Sequence, residues 1–273
     1  MQSPDRINAR LYGSTGPNVA MLHGGPGAPG EMKTPAYHLS KHYRIVEPLQ
    51  RTSGSMPLTV DRHVKDLHDV LRKPLTEGPL RIVGFSWGAM LALTYAARYP
   101  SSIDRVILIG CGTFDLRTRE VYQNAMAQRM NTDERELFHN LQSELAHEKD
   151  CRRRNKLFKE MGTIATSIQS FNPLAPTQEE LIHCDEKSFR ETWGDAMSLQ
   201  EKEIQPAEFS HIQAPVTMIH GDMDPHPGLL IYETLKPIIR DIRYYEVLKC
   251  GHKPWIEREA KERFYELMVE CLN

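Results

Sequence analysis

The sequence predicts an α/β fold: a mostly parallel sheet with helices on both faces and one inserted helical cap. Three observations carry that prediction. Short apolar runs recur along the chain, each ending in Gly, Pro or a polar turn. Helical patterns fill the intervals between them. The alternation stops at about Thr113 and resumes after Ser210. Strands alternating with helices make a parallel sheet, and strands buried on both faces read as continuous apolar runs.

Taken in order, a weak strand at Ile7–Tyr12 precedes the clear ones at Val19–His23 and Tyr43–Pro48. Asp61–Leu71 places Val64, Leu67, His68 and Leu71 at helical spacing. Strand Leu80–Phe85 leads into Ala89–Ala97, apolar nearly all round, as a helix buried against a sheet should be. Strand Arg105–Ile109 closes the first half. Residues 113–210 are helical in character, punctuated by Pro173, Pro176 and Pro206. Strands Val216–His220 and Ile242–Val247 follow, and the last helix sets Phe264, Leu267, Met268 and Cys271 at i, i+3, i+4, i+7. The expected organisation is a core of 1–112 and 211–273, with 113–210 a cap over the carboxyl ends of the strands.

Composition narrows the function classes. A chain of 273 residues buries a full core without disulfides or a structural metal. A net charge of −2 gives no case for nucleic acid or an anionic membrane. Mean hydropathy is −0.50, and no apolar run approaches the ~18–20 residues of a membrane span. Met1-Gln2-Ser3-Pro4-Asp5 lacks the features of a signal peptide. Five cysteines without a CxxC pair read as reduced thiols in a cytoplasmic protein. The cap holds 13 Lys/Arg and 18 Asp/Glu, a net of −5. Arg152–Arg154 reads as a solvated helix face.

Three motifs carry chemistry. Gly84-Phe85-Ser86-Trp87-Gly88 is a G-x-S-x-G lying directly after a strand and before a helix, the context of a nucleophile elbow. His23-Gly24-Gly25-Pro26-Gly27 follows another strand; its small residues let the Gly24 and Gly25 N–H groups approach an oxyanion, with Trp87 N–H as a further donor. The His23 side chain reads as structural, holding the loop, and His63 and His68 as packing or surface residues. Near the C-terminus, His220-Gly221-Asp222-Met223-Asp224 and Gly251-His252-Lys253-Pro254-Trp255 each follow a strand. A Ser nucleophile needs a base, His252, and a carboxylate that fixes the base's tautomer. Spacing leaves Asp222 and Asp224 both open for that acid.

A competing pattern is Gly25-x-Gly27-x-x-Gly30 with Glu47 downstream, which matches a dinucleotide fingerprint. Pro26 and Pro29 lack the N–H groups needed to cradle a pyrophosphate, and the Ser, Asp and His motifs would go unexplained. There is no P-loop, HExxH or zinc-spaced Cys/His cluster, so neither cofactor nor metal is expected.

Together, HGGPG at 23–27, GFSWG at 84–88, GDMD at 221–224 and GHKPW at 251–255 resemble the proline iminopeptidase-like branch of α/β hydrolases, peptidase family S33. The resemblance covers roughly residues 7–112 and 211–272. It implies the α/β-hydrolase fold and the chain order Ser86, Asp224, His252, since the family's acid closes a G-x-x-D turn. The family's D-Q-R-G-S-G-x-S segment is here Leu49-Gln50-Arg51-Thr52-Ser53-Gly54-Ser55-Met56, without the Asp or the first Gly. The family holds a substrate's amino terminus with cap carboxylates, which makes Glu191, Trp193 and Asp195 candidate substrate contacts. The expected function is hydrolysis of small esters or amides in the manner of a carboxylesterase. An aminopeptidase acting on short peptides is the alternative, and a non-catalytic ligand-binding protein is the alternative of another class. The partner is a small-molecule or short-peptide substrate.

Overall fold

The computed structural model describes residues 7–72, 78–175 and 184–273. Pro176 and the first five residues lie outside them. Among the described residues seven strands form one sheet: β1 (Ala9–Tyr12), β2 (Asn18–Leu22), β3 (Arg44–Pro48), β4 (Leu80–Phe85), β5 (Ile103–Ile109), β6 (Val216–Gly221) and β7 (Ile242–Val247). Their spatial order is β1-β3-β2-β4-β5-β6-β7. Only β1 runs antiparallel, pairing Ala9 with Pro48 and Tyr12 with Ile45.

Pleating sends alternate side chains to opposite faces, and this chain buries both. Ala20, Leu22, Ile82, Leu108 and Met218 pack under α2 (Val60–Leu71), α3 (Trp87–Arg98) and α8 (Gly228–Leu235). Val19, Met21, Val83, Ile107 and Ile219 face α1 (Lys33–Leu39) and α9 (Lys261–Leu272). That double burial makes β2 and β4 continuous apolar runs. The edge strands differ: β7, expected to be buried like the rest, exposes Arg243, Tyr245 and Glu246.

Between β5 and β6 the described residues form α4 (Leu116–Arg129), α5 (Thr132–His147), α6 (Cys151–Gln169) and α7 (Glu186–Glu201), with no strand longer than a single bridge. Each begins at a side-chain cap: Asp115, Asn131, Asp150 and Asp185 accept the N–H three residues on. Phe114 and Phe209 meet edge to face at 5.2 Å and join the main core, so the chain leaves and re-enters the sheet region at one place. No helix among the described residues is long and apolar enough to cross a membrane.

Candidate active site

β4 ends at Phe85 and α3 begins at Trp87, so Ser86 makes the turn between them. It sits at φ 53°, ψ −116°, a strained conformation for a residue with a side chain. Two glycines permit it. A Cβ on Gly84 would collide with the backbone of Gly88, and one on Gly88 with the carbonyls of Leu22 and His23. The Ser86 N–H donates to Ile109 O at 2.8 Å, which seats the elbow beside the end of β5. The N-terminus of α3 begins immediately after it, with N–H groups that favour negative charge.

The HGGPG loop is held from several sides. His23 Nε2 accepts the Gln50 N–H at 3.1 Å, so Nδ1 carries the proton and donates to Gly24 O at 2.8 Å. Burial pushes the His23 imidazole's pKa down. Gln50 also donates to His23 O and accepts the Trp87 indole N–H at 2.8 Å. Arg51 pairs with Asp66 of α2 at 2.6 Å. The retained Gln50-Arg51 pair thus braces the loop and the residue after Ser86. At the loop's far end, Gly27 O accepts the Asp185 N–H at 2.8 Å, and Asp185 in turn accepts the Ser53 N–H at 2.7 Å.

One donor expected for an oxyanion is already engaged. The Gly24 N–H donates to Glu31 Oε1 at 2.7 Å, and Glu31 Oε2 pairs with Lys253 Nζ at 2.9 Å. An N–H given to a carboxylate has little left for a second anion, so of the two donors expected from the loop only Gly25 remains a candidate.

The two aspartates of the 222–224 turn have different surroundings. Asp222 is exposed and accepts the Cys250 N–H at 3.0 Å. Asp224 is buried, and its Oδ2 lies 2.7 Å from His252 Nδ1. Gly110, next after the carbonyl that holds Ser86, has no side chain; a Cβ there would lie 2.9 Å from His252 Nδ1. The His252 ring also packs 4.8 Å from Phe85. Ser86, Asp224 and His252 therefore gather at the carboxyl ends of β4, β6 and β7.

Two more histidines crowd the same carboxylate. His226 gives both its backbone N–H and its Nδ1 to Asp224 Oδ1, each at 2.9 Å. His220 Nε2 lies 3.1 Å from Oδ2. Burial pushes the Asp224 carboxyl up, but His252, His226 and His220 outweigh it and hold it well below the usual carboxylate range. Burial brings His226 down to about 4 despite Asp224. Asp224, His226 and His252 lie within 4.8 Å of one another, close enough to enclose a cation. Their facing atoms are instead matched as N–H donors to a carboxylate. Sequence reasoning missed His226 and Glu31. The spacing His220-x-x-x-Asp224-x-His226 was a usable signal for the first; nothing pointed to the second.

The cap candidates are committed elsewhere. Glu191 Oε2 accepts the Leu58 N–H at 3.0 Å and Oε1 pairs with Lys187 at 3.3 Å. Asp195 accepts the Val60 N–H at 2.8 Å, at the start of α2. Trp193 packs against the main core and lies parallel to Phe189 at 6.2 Å. His63 is buried against Thr192 at 2.9 Å and His68 stacks on Tyr99 at 3.9 Å, both packing roles.

The fold and this arrangement define a class: the chain belongs to the alpha/beta hydrolase fold family, whose model it matches over residues 17–259. Among relatives, it is 41% identical over 101 residues to a proline iminopeptidase of Xanthomonas citri, covering 35% of this chain and 32% of that one. The match thus spans about a third of the relative's length. Its fold resembles the proline iminopeptidase of Mycobacterium smegmatis, with a TM-score of 0.63 and 18% identity over 96% of this chain and 92% of that one. It is as close to a thermophilic esterase of Thermogutta terrifontis, with a TM-score of 0.63 and 16% identity over 97% and 92%.

Proposed function

We propose that this protein is a serine hydrolase that cleaves small esters or amides through an acyl-enzyme intermediate. The observation that carries this reading is the buried Asp224–His252 pair at 2.7 Å beside the strained Ser86 elbow. In this reading His252 Nε2 takes the Ser86 Oγ proton as Oγ bonds to the substrate carbonyl carbon. The carbonyl π pair moves onto oxygen, which the Gly25 and Trp87 N–H groups stabilise. The oxyanion collapses, His252 returns the proton to the departing alcohol or amine, and Ser86 is left acylated. Water, deprotonated by the same His252, repeats the sequence and releases the acid. Asp224 stays ionised throughout and keeps the His252 proton on Nδ1.

Residues 113–210 serve in this account as a cap that shapes the entrance. Its contacts with both reacting loops support that: Asp185 with Gly27, and Gln169 O accepting the His252 N–H at 2.8 Å. The engagement of Glu191 and Asp195 with backbone N–H groups favours a carboxylesterase over an enzyme that binds an ammonium through them. The aminopeptidase reading is favoured by the similarity over 101 residues to a proline iminopeptidase. The cytoplasmic setting rests on cysteines without a pairing pattern in the sequence.

Rates on p-nitrophenyl esters, aminoacyl amides and their N-acetylated forms test the choice. The ester reading expects esters to be the best substrates and acetylation to be harmless. A strong requirement for the unblocked amine would establish the aminopeptidase. Binding with no turnover of any of them would leave a ligand-binding protein.

A further inference from the structure

We propose that His226 is a positioning residue for His252: it steadies the base's ring and shares the base's acid, and so governs when that base is available. The inference rests on the serine-hydrolase reading.

The geometry is a carboxylate with four N–H groups on it. Oδ1 takes the backbone N–H and Nδ1 of His226, each at 2.9 Å. Oδ2 faces His252 Nδ1 at 2.7 Å and His220 Nε2 at 3.1 Å. His220 Nε2 also lies 3.2 Å from His226 O. Carboxylates and carbonyls only accept, so all three ring nitrogens carry protons. Four donors nearly fill what one carboxylate can accept. Each donor on Oδ1 draws off negative charge that would otherwise stabilise a His252 imidazolium.

The second contact is a stack. The His226 ring lies between Tyr122, at 4.1 Å and 22°, and His252, at 4.4 Å and 20°. Burial keeps His226 neutral at physiological pH. A neutral π face then meets His252 in both its protonation states, and it favours the cation that forms during turnover. The other charged groups around His252 come from different elements. The Glu31–Lys253 pair lies between the HGGPG loop and the His252 loop, and Glu257 accepts the Gly251 N–H at 3.1 Å. Both are kept when His226 alone is changed.

Two substitutions separate the two contacts. His226→Phe keeps a ring and removes the Nδ1 donor. His226→Gln keeps an N–H donor and removes the ring. The measurement is the pH dependence of Ser86 labelling by a fluorophosphonate, together with kcat and KM on a p-nitrophenyl ester. His226→Phe should move the acid limb up by about half a pH unit or more, because Asp224 regains charge. His226→Gln should move the limb down if it moves it at all, the opposite of His226→Phe, and lower kcat about tenfold or more at unchanged KM, because the His252 ring loses its support and its cation loses the facing π surface. A folded His226→Phe with an unmoved limb overturns the inference, as does a His226→Gln with wild-type kcat. Should either variant fail to fold, NMR titration of the wild type decides: His226 must stay neutral between pH 5 and 8, and a ring that titrates there contradicts the proposal. Failure to label Ser86 in the wild type would instead remove the serine-hydrolase reading itself.

Discussion

Asp222 and Asp224 share one turn yet face different surroundings, the first exposed on the Cys250 N–H and the second buried on His252. Asp224→Asn should therefore lower kcat steeply, about 10⁴-fold, by removing the carboxylate that fixes the His252 tautomer. Asp222→Asn should do far less, since the amide Oδ1 can still accept the Cys250 N–H and only an exposed charge is lost. Steady-state kinetics of the two variants checks this, and a larger loss at Asp222 would refute the assignment. Sequence spacing left the two open because both lie in one strand-end turn. What separates them is burial, which a two-residue step in a turn does not encode. His226 went unread although its spacing from His220 and Asp224 offered a signal, because only the fold buries its ring against Tyr122 and His252.

The elbow between β4 and α3 depends on residues with no side chain. Gly84→Ala or Gly88→Ala should cost about 3 kcal/mol or more, because the neighbours in the way are backbone. Denaturant unfolding measures it; a loss under 1 kcal/mol would mean the turn can relax. The N-terminus of α7 makes a second prediction. Asp185→Ala removes the helix cap and the bond to the Ser53 N–H, and should cost about 1–2 kcal/mol. It should also slow turnover by loosening the segment next to Gly27; an unchanged kcat would separate that latch from catalysis. At this scale the interior strands were the most legible part of the chain. Helices α1 and α8 span only about two turns each, too few for an apolar period to repeat recognisably. The partial exposure of β7 follows from its place at the sheet edge, which only the strand order reveals.

For the whole molecule, buried neutral histidines set the response to acid. His63 and His226 are each brought down to about 4, chiefly by burial, against ~6.5 in an unfolded chain. Between about pH 6.5 and 4 the unfolded chain therefore binds protons that the folded one refuses. Stability should fall as pH drops through that window, by at most about 1.4 kcal/mol per pH unit per histidine. Asp224, held low, adds stability above about pH 4 that is lost as pH falls further. Melting temperature against pH reads the slope, and His63→Gln should flatten it; an unchanged slope would show that His63 is not the group responsible. The proposed reacting residues were legible because each lies within three residues of a glycine in a turn that follows a strand. The segment at 189–195 was not, because whether Glu191 and Asp195 face a substrate or a backbone N–H depends on where α7 docks against α2. The central claim, that Ser86 is a nucleophile activated by His252, is tested most directly by intact-mass and peptide analysis after reaction with a fluorophosphonate. A single adduct on Ser86, absent from Ser86→Ala and much slower to form in His252→Ala, is the predicted result. Hydrolysis by Ser86→Ala at more than a tenth of the wild-type rate, or an adduct on another residue, would contradict it.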